Sequence, residues 1–117
     1  MSYVDGFLIA VPTEKKEAYR QLASEAASVF RDHGAIRVVE AWADDVPEGK
    51  VTSFPMAVKL EPGEAVVFSW IEWPSREARD AGNAKVMADP RMEMEGREMP
   101  FSPQRMIFGG FLPIVEA

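Results

Sequence analysis

The stretch Ala65-Val66-Val67-Phe68-Ser69-Trp70-Ile71-Glu72-Trp73 decides the fold. It is rich in β-branched and aromatic residues, which favour a β-strand. Side chains alternate between the two faces of a strand, and this stretch carries large apolar residues on both of them. A strand with this pattern is covered on both faces. One small domain has helices enough for one face, so the sequence predicts that a second copy of the chain covers the other.

The length and the charge of the chain limit its class. The 117 residues predict a single domain spanning residues 1–117, and a chain of this size can build a core without disulfides or metal. The formal net charge is −6, and lysine and arginine form no cluster. Nucleic acid and anionic membrane surfaces are therefore disfavoured as partners.

The counts of cysteine and histidine exclude several chemistries. The chain has no cysteine and one histidine, so disulfides, thiolate sites and multi-histidine metal sites within one chain are excluded. We predict neither a metal nor a cofactor. The N-terminal residues do not resemble a signal peptide, and the apolar runs are too short to span a bilayer. We expect a cytoplasmic protein without membrane association.

The remaining elements follow from hydrophobic periodicity and from turn residues. Thr13 is predicted to cap the first helix, Gly34 to end it in a left-handed conformation, and Ser75 to cap the second helix. That second helix has small residues at its possible packing positions, which would let it lie close to the sheet or would leave a gap beside it. They are Ala78, Ala81, Gly82, Ala84 and Ala88. Residues 51–60 give no clear signal, and residues 52–57 within them are predicted as a loop over one end of the sheet. The predicted strands are 3–11, 35–43, 65–73 and 104–115, and the predicted helices are 14–33 and 75–88.

This order of elements predicts the fold class and a candidate polar site. The order β-α-β-β-α-β is typical of an α+β ferredoxin-like domain with an antiparallel sheet. In an assumed strand register, one face of the sheet carries Asp5, Glu40, Glu72 and Arg105 among aromatic side chains. Such groups could transfer a proton or bind a polar ligand, and we predict them as catalytic residues. The alternative is a structural ion-pair network at a dimer interface. The predicted apolar walls of a ligand site are Trp42, Trp70 and Phe68.

Three further features allow a functional and a structural interpretation. His33 could act as an acid or base, or it could interact with the helix dipole at the end of the first helix. The segment with Met92, Met94 and Met99 could be an adaptable lid or an ordinary loop. The turn with Asp44, Asp45 and Glu48 matches no calcium-loop spacing and is more typical of a solvated turn.

The chain also resembles a known family. The residues that carry the resemblance are Val4-Asp5-Gly6-Phe7, Val39-Glu40-Ala41-Trp42, Asp44-Asp45-Val46-Pro47-Glu48-Gly49-Lys50, Phe68-Ser69-Trp70-Ile71-Glu72-Trp73-Pro74-Ser75, Met87-Ala88-Asp89-Pro90-Arg91-Met92 and Arg105-Met106-Ile107-Phe108-Gly109-Gly110-Phe111. They are similar to the YbaA-like family of small bacterial proteins, a domain of unknown function. The resemblance implies a ferredoxin-like subunit of a dimeric α/β barrel, and it implies no established activity. Enzymes of this wider group often use a pocket between sheet and helices.

Two function hypotheses remain open at this point. The first is a cofactor-free enzyme or binder of a small apolar or acidic molecule, working as a homodimer. The second is a non-catalytic dimeric module, structural or stress-related, whose buried charges only fix the pairing of the two copies. An enclosed space of at least ~300 Å3, reached by two or more of the four charges, would favour the first hypothesis.

Overall fold

The computed structural model describes residues 2–93 and 95–117, so the Met94 part of the predicted lid lies outside the described residues. The chain has the predicted order β-α-β-β-α-β, with one additional short helix between the second and third strands. The bounds are β1 Tyr3–Pro12, α1 Lys16–Asp32, β2 Arg37–Trp42, α2 Phe54–Ala57, β3 Glu64–Trp73, α3 Arg76–Ala88 and β4 Ile107–Phe111.

The strands form one sheet of four in the order β2-β3-β1-β4. Each neighbouring pair is antiparallel, and the longest ladder joins β1 to β3 from Tyr3↔Trp73 to Pro12↔Glu64. Strand β3, which carries large apolar residues on both faces, is therefore an interior strand with a partner on each side. This topology confirms the predicted ferredoxin-like fold class.

Both long helices pack on one face of the sheet. Tyr19 of α1 is buried with Ile9 and Val67. The Phe30 ring of α1 meets the Trp73 ring edge-on, with the centroids 6.2 Å apart. Trp73 also supports α3, because a Cβ added at Gly82 would lie 2.7 Å from Trp73 Cη2. The glycine lets this helix approach the sheet closely, which is one of the two arrangements that the small residues allowed.

The helix ends confirm two of the three predicted capping residues. Ser75 Oγ accepts a hydrogen bond from the Ala78 N–H at 3.1 Å, and Gly34 follows α1 with a positive φ of 110°. The prediction for Thr13 was wrong. Thr13 begins a 3₁₀ turn instead, and its Oγ1 donates to the Gly63 carbonyl at 3.1 Å. That bond ties the start of the helical segment to the turn before β3.

The assumed strand register was wrong for β3 and β4. Asp5 lies opposite Ile71, and Glu40 lies opposite Ser69, so these four side chains share the face under the helices. Glu72 lies opposite Val4 on the other face, which we call the open face. A shift of one residue moves every side chain of a strand to the other face. The predicted cluster of four charges is thereby divided.

Large apolar side chains remain exposed on the open face. Phe68 is 46% exposed, Ile107 45% and Phe111 63%. The segment between β2 and β3 covers only one end of this face, where Val58 packs with Ala10 and Val66. A loop over residues 52–57 was predicted to cover one end of the sheet, whereas Phe54–Ala57 form the short helix α2. No helix in the described part of the chain combines the length and the apolar character needed to cross a membrane.

Candidate functional site

Asp5 belongs to a closed network under α3. Its carboxylate accepts a hydrogen bond from Trp73 Nε1 at 3.0 Å and one from Arg79 Nε at 3.2 Å. Arg79 also donates to the Tyr3 hydroxyl at 3.1 Å. A Cβ at the neighbouring Gly110 would overlap both Arg79 and Tyr3, so the network fills its space. This arrangement holds α3 to the sheet and leaves no room for a ligand.

Arg105 lies at the end of a 3₁₀ turn before β4, away from the other predicted charges. It forms two hydrogen bonds with Glu64, of 2.8 and 2.7 Å, and a third with the Lys59 carbonyl at 2.9 Å. The hydrogen bond from Arg105 lowers the pKa of Glu64 below its ordinary value. The pair clamps the turn before β4 to the start of β3.

Glu72 lies on the open face with two of the predicted apolar walls. Its carboxylate accepts a hydrogen bond from Trp70 Nε1 at 3.0 Å, and Arg37 approaches it to 3.8 Å. The rings of Trp70 and Phe68 pack together with their centroids 5.5 Å apart. These residues border a largely apolar hollow of about 770 Å3, the open-face hollow. Trp42, the third predicted wall, lies on the helix-covered face.

Glu40 is the fourth of the predicted charges, and its carboxylate borders a cleft. It forms no salt bridge with a described residue. Tyr19 Oη donates to its Oε1 at 2.5 Å, and Ser69 Oγ donates to its Oε2 at 2.7 Å. The three residues come from α1, β2 and β3, so two hydroxyls from different elements fix the orientation of one carboxylate. Glu40 is itself exposed to solvent.

The space beside Glu40 is a cleft between α1 and strand β2, which we call the α1–β2 cleft. Its volume is about 410 Å3. Apolar and aromatic side chains form most of its wall, and the polar groups are few, as is usual for small-molecule sites. The charged residues at its wall are Lys16, Arg20 and Glu40, and the apolar and aromatic ones include Tyr19, Ala23, Val38 and Trp42.

The Tyr19 hydroxyl stays protonated beside Glu40. Burial, followed by the negative charge of Glu40, raises the pKa of Tyr19 well above its ordinary value. Tyr19 is therefore a hydrogen-bond donor throughout the ordinary pH range. Glu40 accepts from both hydroxyls and keeps further lone pairs for a donor in the cleft.

Tyr19 and Ser69 were not among the predicted site residues. Tyr19 followed the apolar stripe of the first helix, and its hydroxyl carried no separate signal. Ser69 is buried on β3. The sequence placed it among the smaller side chains of the sheet and gave no sign of a hydrogen-bonding role. Ser69 lies opposite Glu40 in the ladder between β2 and β3, so a known strand register would have identified it as a site residue.

The remaining candidates occupy structural positions. His33 Nε2 lies 2.9 Å from Asp89 Oδ2, and Arg91 binds the same Asp89 side chain and Asp32. This group joins the end of α1 to the segment after α3. Within residues 2–93 and 95–117, no three histidine, cysteine, aspartate or glutamate side chains are grouped to hold a metal ion, and this includes the turn with Asp44.

The fold and the cleft define a small ferredoxin-like α+β protein with a helix-side cleft. The chain belongs to the family described as "Protein of unknown function (DUF1428)", whose model matches residues 2–103. It is 60% identical over 116 residues to the uncharacterized protein YbaA of Escherichia coli K12, covering 99% of each chain. The resemblance to the YbaA-like family is thus confirmed.

Solved structures with low sequence identity share the fold. A dimeric ferredoxin-like protein from an uncultured marine organism has a TM-score of 0.59 at 11% identity and is covered over 100% of both chains. A putative antibiotic biosynthesis monooxygenase from Nitrosomonas europaea has a TM-score of 0.52 at 15% identity, with coverage of 97% of this chain and 90% of that one. At these identities the similarity concerns the fold alone.

Proposed function

We propose that this protein is a homodimer that binds a small organic molecule in the α1–β2 cleft of each copy. The observation that carries the proposal is the Glu40 carboxylate, oriented by Tyr19 and Ser69 at the wall of a cleft of about 410 Å3. Of the four predicted charges, Glu40 alone lines this cleft, so the proposal rests on one oriented carboxylate and not on the predicted group of two or more charges. Glu40 would be the polar anchor, and Trp42 would supply an apolar wall. The same carboxylate is placed to accept a proton from a bound molecule, without a cofactor.

The pairing of two copies is supported by the open face. Exposed Phe68, Ile107 and Phe111 form an apolar surface of the kind that marks an interface. Burying several hundred Å2 of it would favour association by several kcal/mol, at roughly 25 cal/mol per Å2 before the costs of binding. The ferredoxin-like structure from the marine organism is described as dimeric, and it has the same fold.

In this dimer the cleft would remain accessible. The open face and the α1–β2 cleft lie on opposite sides of the same sheet, because Glu40 shares the face of Ser69 while Phe68 shares the other. Packing two open faces together would therefore cover Phe68 and leave Glu40 in contact with solvent.

A second candidate function is a dimeric module without a ligand. It is supported by Asp5 and Arg105, which are both engaged in closed ion pairs. On this account the charges stabilise the fold of each copy, the open face pairs the two copies, and Glu40 only ties α1 to β2.

A thermal-shift screen against a library of small metabolites tests the first candidate. A compound at a hundred times its Kd stabilises the folded state by about 2.7 kcal/mol, which shifts Tm by several degrees. We expect at least one compound that stabilises the wild type and Glu72→Gln but not Glu40→Gln. Glu72→Gln is the matched control, because it makes the same change on the other face. Hits that stabilise all three proteins equally would contradict the proposal.

A further inference from the structure

The Glu40 carboxylate in the α1–β2 cleft forms no salt bridge with a described residue, although Lys16 and Arg20 also line the cleft. The two groups that bind the Glu40 carboxylate, Tyr19 and Ser69, are neutral hydroxyls. A carboxylate in this setting attracts a cation more strongly than it attracts a neutral donor.

The aromatic wall of the cleft already holds a cation. The Lys16 ammonium lies 5.1 Å from the centroid of the Trp42 ring. Tryptophan is the aromatic side chain that binds cations best, and this distance is within the range of the interaction. Trp42 and Glu40 follow each other on the same face of β2, two residues apart. A cation bound over this wall would be attracted by both residues.

The second cation at the cleft is less available to an anionic ligand. The Arg20 guanidinium donates hydrogen bonds to both oxygens of Glu17, one turn earlier on α1. A ligand carboxylate would have to displace Glu17 there, and it would meet the like charge of Glu40 inside the cleft. The formal net charge of −6 also concentrates cations rather than anions around the protein.

From these observations we infer that the α1–β2 cleft selects a small organic cation, an amine with an apolar or aromatic body. This inference rests on the proposed function and names the chemical class of its ligand. The ammonium of the ligand would bind Glu40, and its body would lie against Trp42 and the apolar wall formed by Ala23 and Val38. Lys16 would move away from Trp42, because its flexible stem lets the ammonium return to solvent.

Three probes of matched shape test the charge preference. They are 2-phenylethylamine, the neutral 2-phenylethanol and the anionic phenylacetate, each titrated into 15N-labelled protein and followed by NMR at the Trp42 indole N–H and the Glu40 amide. We expect the amine to bind about tenfold more tightly than the alcohol, and phenylacetate not to bind. Glu40→Gln should weaken amine binding by about tenfold or more and leave the alcohol unchanged, since it removes one charged hydrogen-bond acceptor.

Two further variants separate a direct role from a structural one. Lys16→Met removes the competing ammonium from Trp42, so the amine should bind several-fold more tightly to this variant. Glu72→Gln should bind the amine as the wild type does. A cleft that binds phenylacetate or the alcohol in preference to the amine would overturn the cation assignment and leave the proposed binding function standing. Equal amine binding by Glu40→Gln and the wild type would also overturn the cation assignment, and so would the absence of any NMR shift with all three probes. The thermal-shift screen with metabolites decides the proposed binding function separately.

Discussion

The Tyr19 hydroxyl donates a 2.5 Å hydrogen bond to Glu40 Oε1, across the junction between helix α1 and edge strand β2. The two residues are 21 positions apart, and Tyr19 is buried while Glu40 is exposed. The contact thus links the packed core to a solvent-accessible carboxylate. It is the structural basis for treating Glu40 as an oriented group rather than a freely rotating surface glutamate.

Tyr19→Phe should lower the free energy of unfolding by about 1 kcal/mol, because it removes this bond while water can still solvate the exposed Glu40. Chemical denaturation with urea measures the change. Ser28→Ala is a suitable control, since its hydroxyl makes only a 3.4 Å contact with the Ser24 carbonyl on the same helix. A Tyr19→Phe variant as stable as the wild type would mean that the contact contributes nothing to the fold.

Gly82→Ala should destabilise the protein although alanine is the better helix former. The added Cβ would lie 2.7 Å from Trp73 Cη2 and 2.8 Å from the His33 carbonyl oxygen, and it would overlap Trp73 Cζ3. Overpacking of this kind costs typically 1–3 kcal/mol, against a gain in helix propensity of about 1 kcal/mol. We therefore expect a net loss, measured by urea unfolding.

The neighbouring Ala81 provides the control for that experiment. It is exposed on the same helix, so Ala81→Gly should show only the propensity cost, about 1 kcal/mol. If Gly82→Ala instead raised the stability by a similar amount, α3 would not lie as close to Trp73 as the structure indicates.

Asp89→Asn should remove part of the pH dependence of stability on the acid side. Hydrogen bonds from Arg91 and His33 lower the pKa of Asp89 in the folded protein, well below the unfolded value of about 3.9. A group with a lowered folded-state pKa contributes stability above its unfolded pKa, and the contribution is lost as the pH falls towards the folded pKa. Thermal unfolding between neutral pH and about pH 2 measures this effect.

The variant should be less stable than the wild type at neutral pH, and the difference should shrink as the pH falls below about 4. Asp44→Asn is the control, because Asp44 is exposed and forms no salt bridge in the part of the chain that the structure describes. A difference between the wild type and Asp89→Asn that stayed constant with pH would show that the pKa of Asp89 is not lowered.

Phe111→Glu should convert the proposed dimer to a monomer. Phe111 is 63% exposed on the open face, and a glutamate there would place an unpaired charge in an apolar interface. Sedimentation velocity reports the mass of the particle. Met87→Glu makes a comparable change on α3, where Met87 is 83% exposed, and should leave the mass unchanged. A Phe111→Glu variant that remained dimeric would place the interface elsewhere.

The secondary structure was predictable because each element carries its own signal. The β-branched and aromatic content of β1, the apolar stripe through Tyr19 and Phe30 on α1, and the Ser75 cap were all visible in the sequence. The left-handed Gly34 was visible as well. The order of these elements was sufficient to predict the ferredoxin-like topology, since few arrangements accommodate β-α-β-β-α-β with short connections.

The candidate site was less predictable, because it depends on strand register. Alternation divides β3 into two sets, and both sets contain large apolar residues, so the sequence did not indicate which set faces the helices. The assumed register placed Glu72 beside Asp5, whereas the pairing of Asp5 with Ile71 places them on opposite faces. The contact of Glu40 with Ser69 depends on the same long-range pairing, and no local pattern contains that information.

Native mass spectrometry of the wild type and Glu40→Gln, each purified without harsh treatment and exposed to a small-molecule extract, tests the central claim most directly. It measures the mass of the assembly and of any retained ligand together. We expect a wild-type dimer with a stoichiometric small-molecule adduct and a Glu40→Gln dimer without it. A monomeric wild type would rule out the proposed dimer, and an adduct that both proteins retain equally would rule out Glu40 as the anchor of the ligand.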